Sequence, residues 1–212
     1  MLTASAKPTS STPPLEAGSY LARCVQLIDL GEQMNEIAGK LQRQVMLLFE
    51  IPTERIEING EDKPRTISAT YTLSLNDKAK LRGVLESWRG KQFTEEELAA
   101  FDLRKILNAT CMLTVVEKTS KTSGNKYSSI AAISRPFKGA IVKPAETPIL
   151  AFDLDEPGCL EVLETLPEWM RERVKQGQTY KDMISNPNNF DDISSKDLPF
   201  EEYDPSFTPG DD

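Results

Sequence analysis

The 212-residue sequence contains no histidine. This absence removes Ser-His and Cys-His nucleophile pairs, HExxH metalloprotease sites and every imidazole proton shuttle. The motifs GxxxxGK[ST], GxGxxG and GxSxG are also absent, so nucleotide hydrolysis and acyl transfer have no starting motif. The sequence therefore favours a binding protein over an enzyme, and no cofactor is predicted.

Cysteines and long apolar runs are scarce. Cys24, Cys111 and Cys159 lie far apart, without the spacing of a zinc or redox motif, and are predicted to be reduced and buried. No apolar run approaches the roughly 20 residues of a membrane-spanning helix. The amino-terminal stretch "MLTASAKPTSSTPPLEAG" lacks the apolar core of a signal peptide, so the chain is expected to stay in the cytoplasm.

Charge is unevenly distributed along the chain, whose net charge is -8. Residues 185–212 contain one base, Lys196, and eight acids, namely Asp191, Asp192, Asp197, Glu201, Glu202, Asp204, Asp211 and Asp212. That segment therefore carries -7 and the remainder carries -1. A nearly neutral body with a strongly acidic tail is typical of nucleic-acid-binding proteins that carry a detachable interaction segment.

The apolar pattern predicts five strands and one main helix. The helix is expected to be capped by Asn76, to turn Trp88 toward the core and to end at Gly90, and a Thr94–Glu97 capping box is predicted to begin a shorter one. The strand candidates are "SYLARCVQLIDLG", "KLQRQVMLLFEIP", "TISATYTLSL", "CMLTVVEK" and "KYSSIAAIS". The main helix falls between the third and fourth strands.

This order predicts a mainly β protein, a five-stranded OB-type barrel with a helix between strands 3 and 4. A split α+β sandwich is the competing architecture. We divide the chain into a disordered lead-in (1–17), the barrel (18–138), a C-terminal strap with short helices (139–185) and a disordered acidic tail (186–212). Within 139–185, "LPEWMRERVKQG" is predicted to be an amphipathic helix with Trp169 and Val174 facing inward.

Basic and aromatic residues of the predicted barrel indicate a binding surface for single-stranded DNA. Such DNA is held by cations that follow the phosphates and by aromatic faces on which bases stack. On an OB-type barrel the ligand crosses strands 2 and 3 beside the loops that follow strands 1 and 4. The candidate DNA-binding residues are Lys40, Arg43, Arg65, Tyr71, Lys118, Lys121, Lys126 and Tyr127. The tyrosines are equally compatible with the core, and the hairpin lysines with ordinary solvated charge.

One acidic stretch, "FDLDEPG", raises a different possibility. Asp153, Asp155 and Glu156 resemble part of a magnesium-dependent nuclease site. Such sites need carboxylates that converge from separate elements, whereas these acids are neighbours on one segment. A solvated turn is the favoured interpretation, no metal site is predicted, and the nuclease hypothesis is the weakest of those considered.

Three longer stretches resemble a known family. "TLSLNDKAKLRGVLESWRGKQFTEEEL", "FDLRKILNATCMLTVV" and "YSSIAAISRPFKG" are similar to tailed-phage replication proteins of OB-fold type that bind single-stranded DNA, and the likeness covers roughly residues 18–181. The resemblance implies non-sequence-specific binding of single-stranded DNA in phage replication or recombination, in the cytoplasm of the bacterial host. The "LNATC" turn departs from the family, whose members tend to have a glycine before this cysteine.

The acidic tail carries a second resemblance. In "SSKDLPFEEYD", Asp197, Leu198, Pro199 and Phe200 resemble the acidic, Pro-Phe-ending tails of bacterial single-stranded-DNA-binding proteins. This likeness implies docking of phage or host partners such as a helicase, primase or recombinase. Twelve residues follow Phe200 here, so the motif is internal. The alternative function is a protein-interaction adaptor at the replication fork with little DNA binding of its own.

Overall fold

The computed structural model describes residues 13–35, 39–58 and 60–185. Its strands are β1 (Gly18–Asn35), β2 (Lys40–Ile58), β3 (Glu61–Thr72), β4 (Thr110–Thr119), β5 (Lys126–Ser134) and β6 (Leu150–Phe152). Its helices are α1 (Lys80–Arg89), α2 (Glu95–Ala99), α3 (Cys159–Thr165), α4 (Glu168–Lys175) and α5 (Gln178–Ser185), with a 3-10 turn at Leu103–Ile106.

The first five strands form one antiparallel sheet in the order β3-β2-β1-β4-β5. Residues of β3 and β5, the two outer strands, have Cα atoms within 8 Å of each other, so the sheet curls into a half-barrel. The short strand β6 adds to β1 in parallel, with Gln26 opposite Leu150. The predicted mainly β architecture with five antiparallel strands is confirmed.

The inner face of the half-barrel encloses the larger core. Phe49, Leu47 and Leu113 are fully buried there, and α1 contributes Leu85 and Trp88. The Trp88 indole lies 5.7 Å from the Phe49 ring and donates its N–H to the Thr110 carbonyl at 2.7 Å. A buried indole needs such an acceptor, and the predicted core position of Trp88 is confirmed.

The outer face of β1 and β2 is covered as well. Ile28 and Met46 project from it and pack with Leu163 of α3 and with Met170 and Val174 of α4. Since both faces of these strands are buried, their sequences read as nearly continuous apolar runs instead of a clean alternation.

Two buried features of the sheet hold the C-terminal segment in place. The fully buried Glu50 carboxylate accepts hydrogen bonds from the backbone N–H groups of Glu146 and Thr147 at 2.6 to 3.2 Å. At the Asp29–Gly31 bulge, a Cβ on Gly31 would lie 2.7 Å from Cβ of Thr179, and the residue has a φ of +65°. Only glycine suits both the left-handed backbone and the close approach of α5.

The structure corrects several local predictions. Helix α1 begins at Lys80 with Ala79 as its N-cap, so Asn76 does not cap it, whereas the left-handed Gly90 end and the Thr94–Glu97 capping box are confirmed. Trp169 was predicted to face inward but is 49% exposed, whereas Val174 of the same helix is buried as predicted.

The lead-in was expected to offer nothing to pack. Leu15 nevertheless belongs to the inner core, with 3% of its surface exposed. Strand β6 and helix α3 were not predicted individually. All three cysteines are free and buried, as expected. None of the helices in the described part of the chain combines the length and apolar character that crossing a membrane requires.

Candidate nucleic-acid interface

Two adjoining cavities form a continuous groove beside α1. The larger, about 820 Å³, lies between α1 and the facing edges of β3 and β5. The smaller, about 530 Å³, extends past the end of β3 toward α4. Both are lined by Thr70, Tyr71 and Lys80, so we treat them together as the basic groove.

The basic groove is lined by cations and, among the described residues, by no acid. Its cations are Lys78, Lys80, Lys118 and Arg173, and no described aspartate or glutamate lines either cavity. Within the described residues, none of these four side chains has a carboxylate oxygen within 4.0 Å. The rest of the lining supplies neutral polar groups, including the Gln42 and Gln44 amides.

Secondary structure explains how these residues come together. Lys80, Gly83, Val84 and Ser87 lie three or four residues apart, on one face of α1. Opposite them, β3 and β5 present small residues along their edges, among them Ser68, Ala69, Ser129, Ala131 and Ala132. Small side chains keep the floor of the groove open between the flanking cations.

Tyr71 lies where the two cavities meet. It pairs with Val45 across β3 and β2, and its ring packs partly against the inner core. Burial raises the pKa of its phenol to about 12, so the group is neutral at physiological pH. Tyr71 thus serves the core and also presents part of its side chain to the groove.

Two of the predicted binding residues line this groove, and three others are exposed without lining it. Tyr71 and Lys118 line it directly. Lys40 is exposed and pairs with Asn35, which lines the smaller cavity. Tyr127 is 46% exposed and pairs with Lys118 across the β4–β5 hairpin. Lys121 is exposed in the turn of that hairpin.

Arg43 lies elsewhere, at the centre of an ion-pair cluster. Its guanidinium contacts Asp29 at 2.5 Å, Asp155 at 2.6 Å and Asp153 at 3.4 Å. Asp29 is buried and also accepts the backbone N–H groups of Gly31 and Leu154. The hydrogen bond to Asp29 raises the pKa of Arg43 further above its ordinary value. We call Arg43, Asp29, Asp153 and Asp155 the Arg43 cluster.

Arg65 and Lys126 are also engaged by other groups. Arg65 donates a hydrogen bond to the Pro13 carbonyl. Lys126 pairs with Glu117 at 2.8 Å, and this hydrogen bond raises the pKa of Lys126. Three of the eight predicted DNA-binding residues therefore already have partners within the protein.

The acidic stretch that resembles part of a nuclease site also forms ion pairs within the protein. Asp153 and Asp155 contact Arg43, and Glu156 contacts Arg104. Over the described residues, no group of three or more acidic or cysteine side chains is arranged to hold a metal ion. The stretch is a turn with solvent-exposed acids, as favoured from the sequence, and these acids also pair with arginines.

Sequence reasoning missed three of the four groove cations. Lys78 and Lys80 lie in "LNDKAK", from which only the start of a helix was predicted. Two lysines so close together at the start of a helix are nevertheless a visible signal of local positive charge. Arg173 comes from α4, and nothing local in the sequence indicates its proximity to β3 and α1.

The predicted docking residues Asp197, Leu198, Pro199 and Phe200 lie outside the described residues. Comparison of the sequence with protein-family models finds no match, and a search of curated proteins finds none either.

Proposed function

We propose that the protein binds single-stranded DNA, without sequence preference, in the basic groove. The observation that carries this proposal is a combination of three features of the described part of the chain: four cations that no described carboxylate pairs with, a lining to which none of these residues adds an acid, and the partly exposed Tyr71. Cations whose charge is not neutralised inside the protein attract a polyanion and release its condensed counterions on binding.

The rest of the lining suits a flexible strand. Amide and hydroxyl groups such as those of Gln42, Gln44 and Thr70 can donate to phosphate or base edges without selecting one base. The small residues on the edges of β3 and β5 leave room for bases, and Tyr71 offers an aromatic surface where the two cavities meet.

The topology supports an OB-type barrel as the scaffold. A five-stranded order of β3-β2-β1-β4-β5, with β3 approaching β5 and α1 between β3 and β4, is compatible with the partly open barrel of that class. Barrels of this type use one face and its flanking loops to bind oligonucleotides. The basic groove is lined by residues of β3.

We extend the proposal, on the resemblance of residues 18–181 to tailed-phage replication proteins, to a role in phage DNA replication or recombination in the bacterial host. In this proposal the acidic tail, through Leu198 and Phe200, docks a helicase, primase or recombinase. The protein would then coat single strands with its body and recruit enzymes with its tail.

Fluorescence titration with oligo-dT of about 20 nucleotides tests the proposal. Trp169 is half-exposed and precedes Arg173 by one helical turn, so its emission can report on the groove, whereas Trp88 is buried. We expect binding that weakens steeply between about 50 and 500 mM salt and that is much weaker for a duplex of equal length.

No binding to oligo-dT at low salt and micromolar protein would contradict the proposal. If the protein nevertheless retained a replication partner in the absence of DNA, the adaptor function would be favoured instead.

A further inference from the structure

A basic and aromatic turn follows β5. Residues 135–143, "RPFKGAIVK", contain Arg135, Lys138 and Lys143 and no acid. The Phe137 side chain is 60% exposed. The Ala140 N–H donates to the Phe137 carbonyl at 3.1 Å, and Gly139 has a φ of +84°, so the chain reverses in a tight turn immediately after Phe137.

This turn is fixed to the rest of the protein. The Arg23 guanidinium donates to the carbonyls of Val142 at 3.0 Å and Lys143 at 3.3 Å, and it also contacts the Asn108 carbonyl at 2.6 Å. A single side chain therefore ties the far end of the turn to β1 and to the entry of β4. Because the backbone of the turn is anchored in this way, the exposed Phe137 side chain projects from a fixed position.

The turn continues the path of the basic groove. Ile133 lines the groove, and Arg135 follows two residues later. The aliphatic part of Arg135 lies against Gly90 at the end of α1, where an added Cβ would be 3.3 Å from its Cδ. A single strand of DNA that follows α1 along the groove therefore leaves the groove beside Arg135 and reaches Phe137 next.

We propose, resting on the DNA-binding function above, that single-stranded DNA leaving the groove stacks a base on Phe137 while Arg135 and Lys138 contact its phosphates. Within the described residues neither cation has a carboxylate oxygen within 4.0 Å. A solvent-exposed aromatic ring between unpaired cations suits a nucleic acid. A protein partner would use the 90% exposed Ile141 as well.

The path lengths set the size of DNA that this site requires. Helix α1 has ten residues, which span about 15 Å. The four residues from Ile133 to Phe137 add at most about 13 Å. At no less than about 3.4 Å per nucleotide, the path along α1 holds at most about four nucleotides and the path to Phe137 at most about eight, so a strand of about 12 nucleotides is long enough to reach Phe137.

Affinity measurements on full-length variants test the proposal. Phe137→Ala should weaken binding of a roughly 12-nucleotide dT strand by about 5-fold to 150-fold, the equivalent of one stacked base. It should leave the affinity for a strand of about four nucleotides unchanged. Phe137→Trp should keep the affinity and add a fluorescence signal that the longer strand quenches. Circular dichroism checks that each variant is folded.

Two matched controls separate stacking from apolar contact. Ile141→Ala removes a more exposed side chain from the same turn and should not change dT affinity, and Phe137→Leu should lose as much affinity as Phe137→Ala. If the native protein binds the longer strand and Phe137→Ala binds it equally well, this proposal is overturned while the groove function stands. Rescue of dT affinity by leucine, or an equal loss from Ile141→Ala, would also overturn it, because general apolar contact and not base stacking would then explain the effect. Failure of the native protein to bind either strand would remove both proposals.

Discussion

The basic groove and the Arg43 cluster both place cationic side chains beside the sheet, but they differ in what neutralises the positive charge. In the Arg43 cluster, one guanidinium contacts three carboxylates, one of them buried. In the basic groove, four cations face an opening that is lined by no acid from residues 13–35, 39–58 or 60–185. The first arrangement fixes the C-terminal segment to the sheet, and the second leaves charge available to a ligand.

The contrast shows why counting cations in a sequence does not locate a binding surface. Arg43 and Lys118 both occupied plausible positions for contacting DNA on a predicted barrel. Residues distant in the chain decide whether each cation has a partner. Asp153 and Asp155 contact Arg43, whereas no described carboxylate contacts Lys118. A cation can bind phosphate strongly only when its charge is not already satisfied.

The largest expected effect is on stability and comes from Arg43→Ala. This change leaves Asp29, whose side chain is 8% exposed, without its charge partner. Breaking a buried ion pair from one side costs about 3–5 kcal/mol, and we expect about 2–3 kcal/mol because Arg43 itself is one-third exposed. Urea unfolding measures the loss, and dT affinity at a temperature where the variant is folded should not change.

Arg55 provides the matched control for Arg43. Its side chain is also one-third exposed, but its partners Asp62 and Glu146 are both more than half exposed, so Arg55→Ala should cost much less stability than Arg43→Ala. Equal losses for the two variants would show that the Arg43 cluster is not the stronger anchor. If Arg43→Ala lowered dT affinity more than substitutions in the groove do, the assignment of DNA binding to the groove would be contradicted.

The next effect is on binding and comes from Lys80→Glu combined with Lys118→Glu. Both residues line the groove, Lys80 from α1 and Lys118 from β4. We expect dT affinity at moderate salt to fall by about tenfold or more, and the salt slope to fall by about 0.7 for each lysine that contacts a phosphate. Anisotropy titrations at several salt concentrations measure both quantities.

Lys63→Glu is the control for this charge reversal. Lys63 is half-exposed on β3, lines a different cavity from the groove and pairs with Glu61 at 2.5 Å. It should change dT affinity much less than the groove variant does. Comparable losses would mean that overall charge governs binding and that the groove has no special role.

The sheet could be predicted from sequence because its signals are local. Val, Ile, Thr and aromatic residues mark the strands, and Gly90 and the Thr94–Glu97 pair mark helix ends that the structure reproduces. The outer core was harder to predict, since Trp169 and Val174 fit the same helical pattern and only the packing of α4 on β1 decides that Val174 is buried. Leu15 was missed because a single apolar residue in a Ser/Pro-rich stretch carries no periodicity.

The candidate site was only partly predictable for a related reason. Tyr71 and Lys118 lie on strands whose order could be inferred, and both line the groove. Lys80 and Arg173 reach it from α1 and α4, so their positions depend on tertiary packing. The sequence also could not reveal that Arg65 would bond to the Pro13 carbonyl and Lys126 to Glu117.

The smallest expected effect concerns the acidic tail, which could supply the carboxylates that the groove lacks. Residues 185–212 carry -7, so they should compete weakly with DNA for the groove cations. Deleting residues 186–212 should tighten dT binding by a few-fold at low salt, and the difference should shrink as screening increases. Replacing the six acids between positions 191 and 204 by their amides keeps the length of the tail and should give most of the same gain in affinity.

The double variant Leu198→Ala with Phe200→Ala keeps the charge of the tail. It should leave dT affinity unchanged while weakening capture of a partner enzyme. Unchanged affinity after both the deletion and the amide substitutions would mean that the groove is open to DNA regardless of the tail, and that the tail acts only in docking.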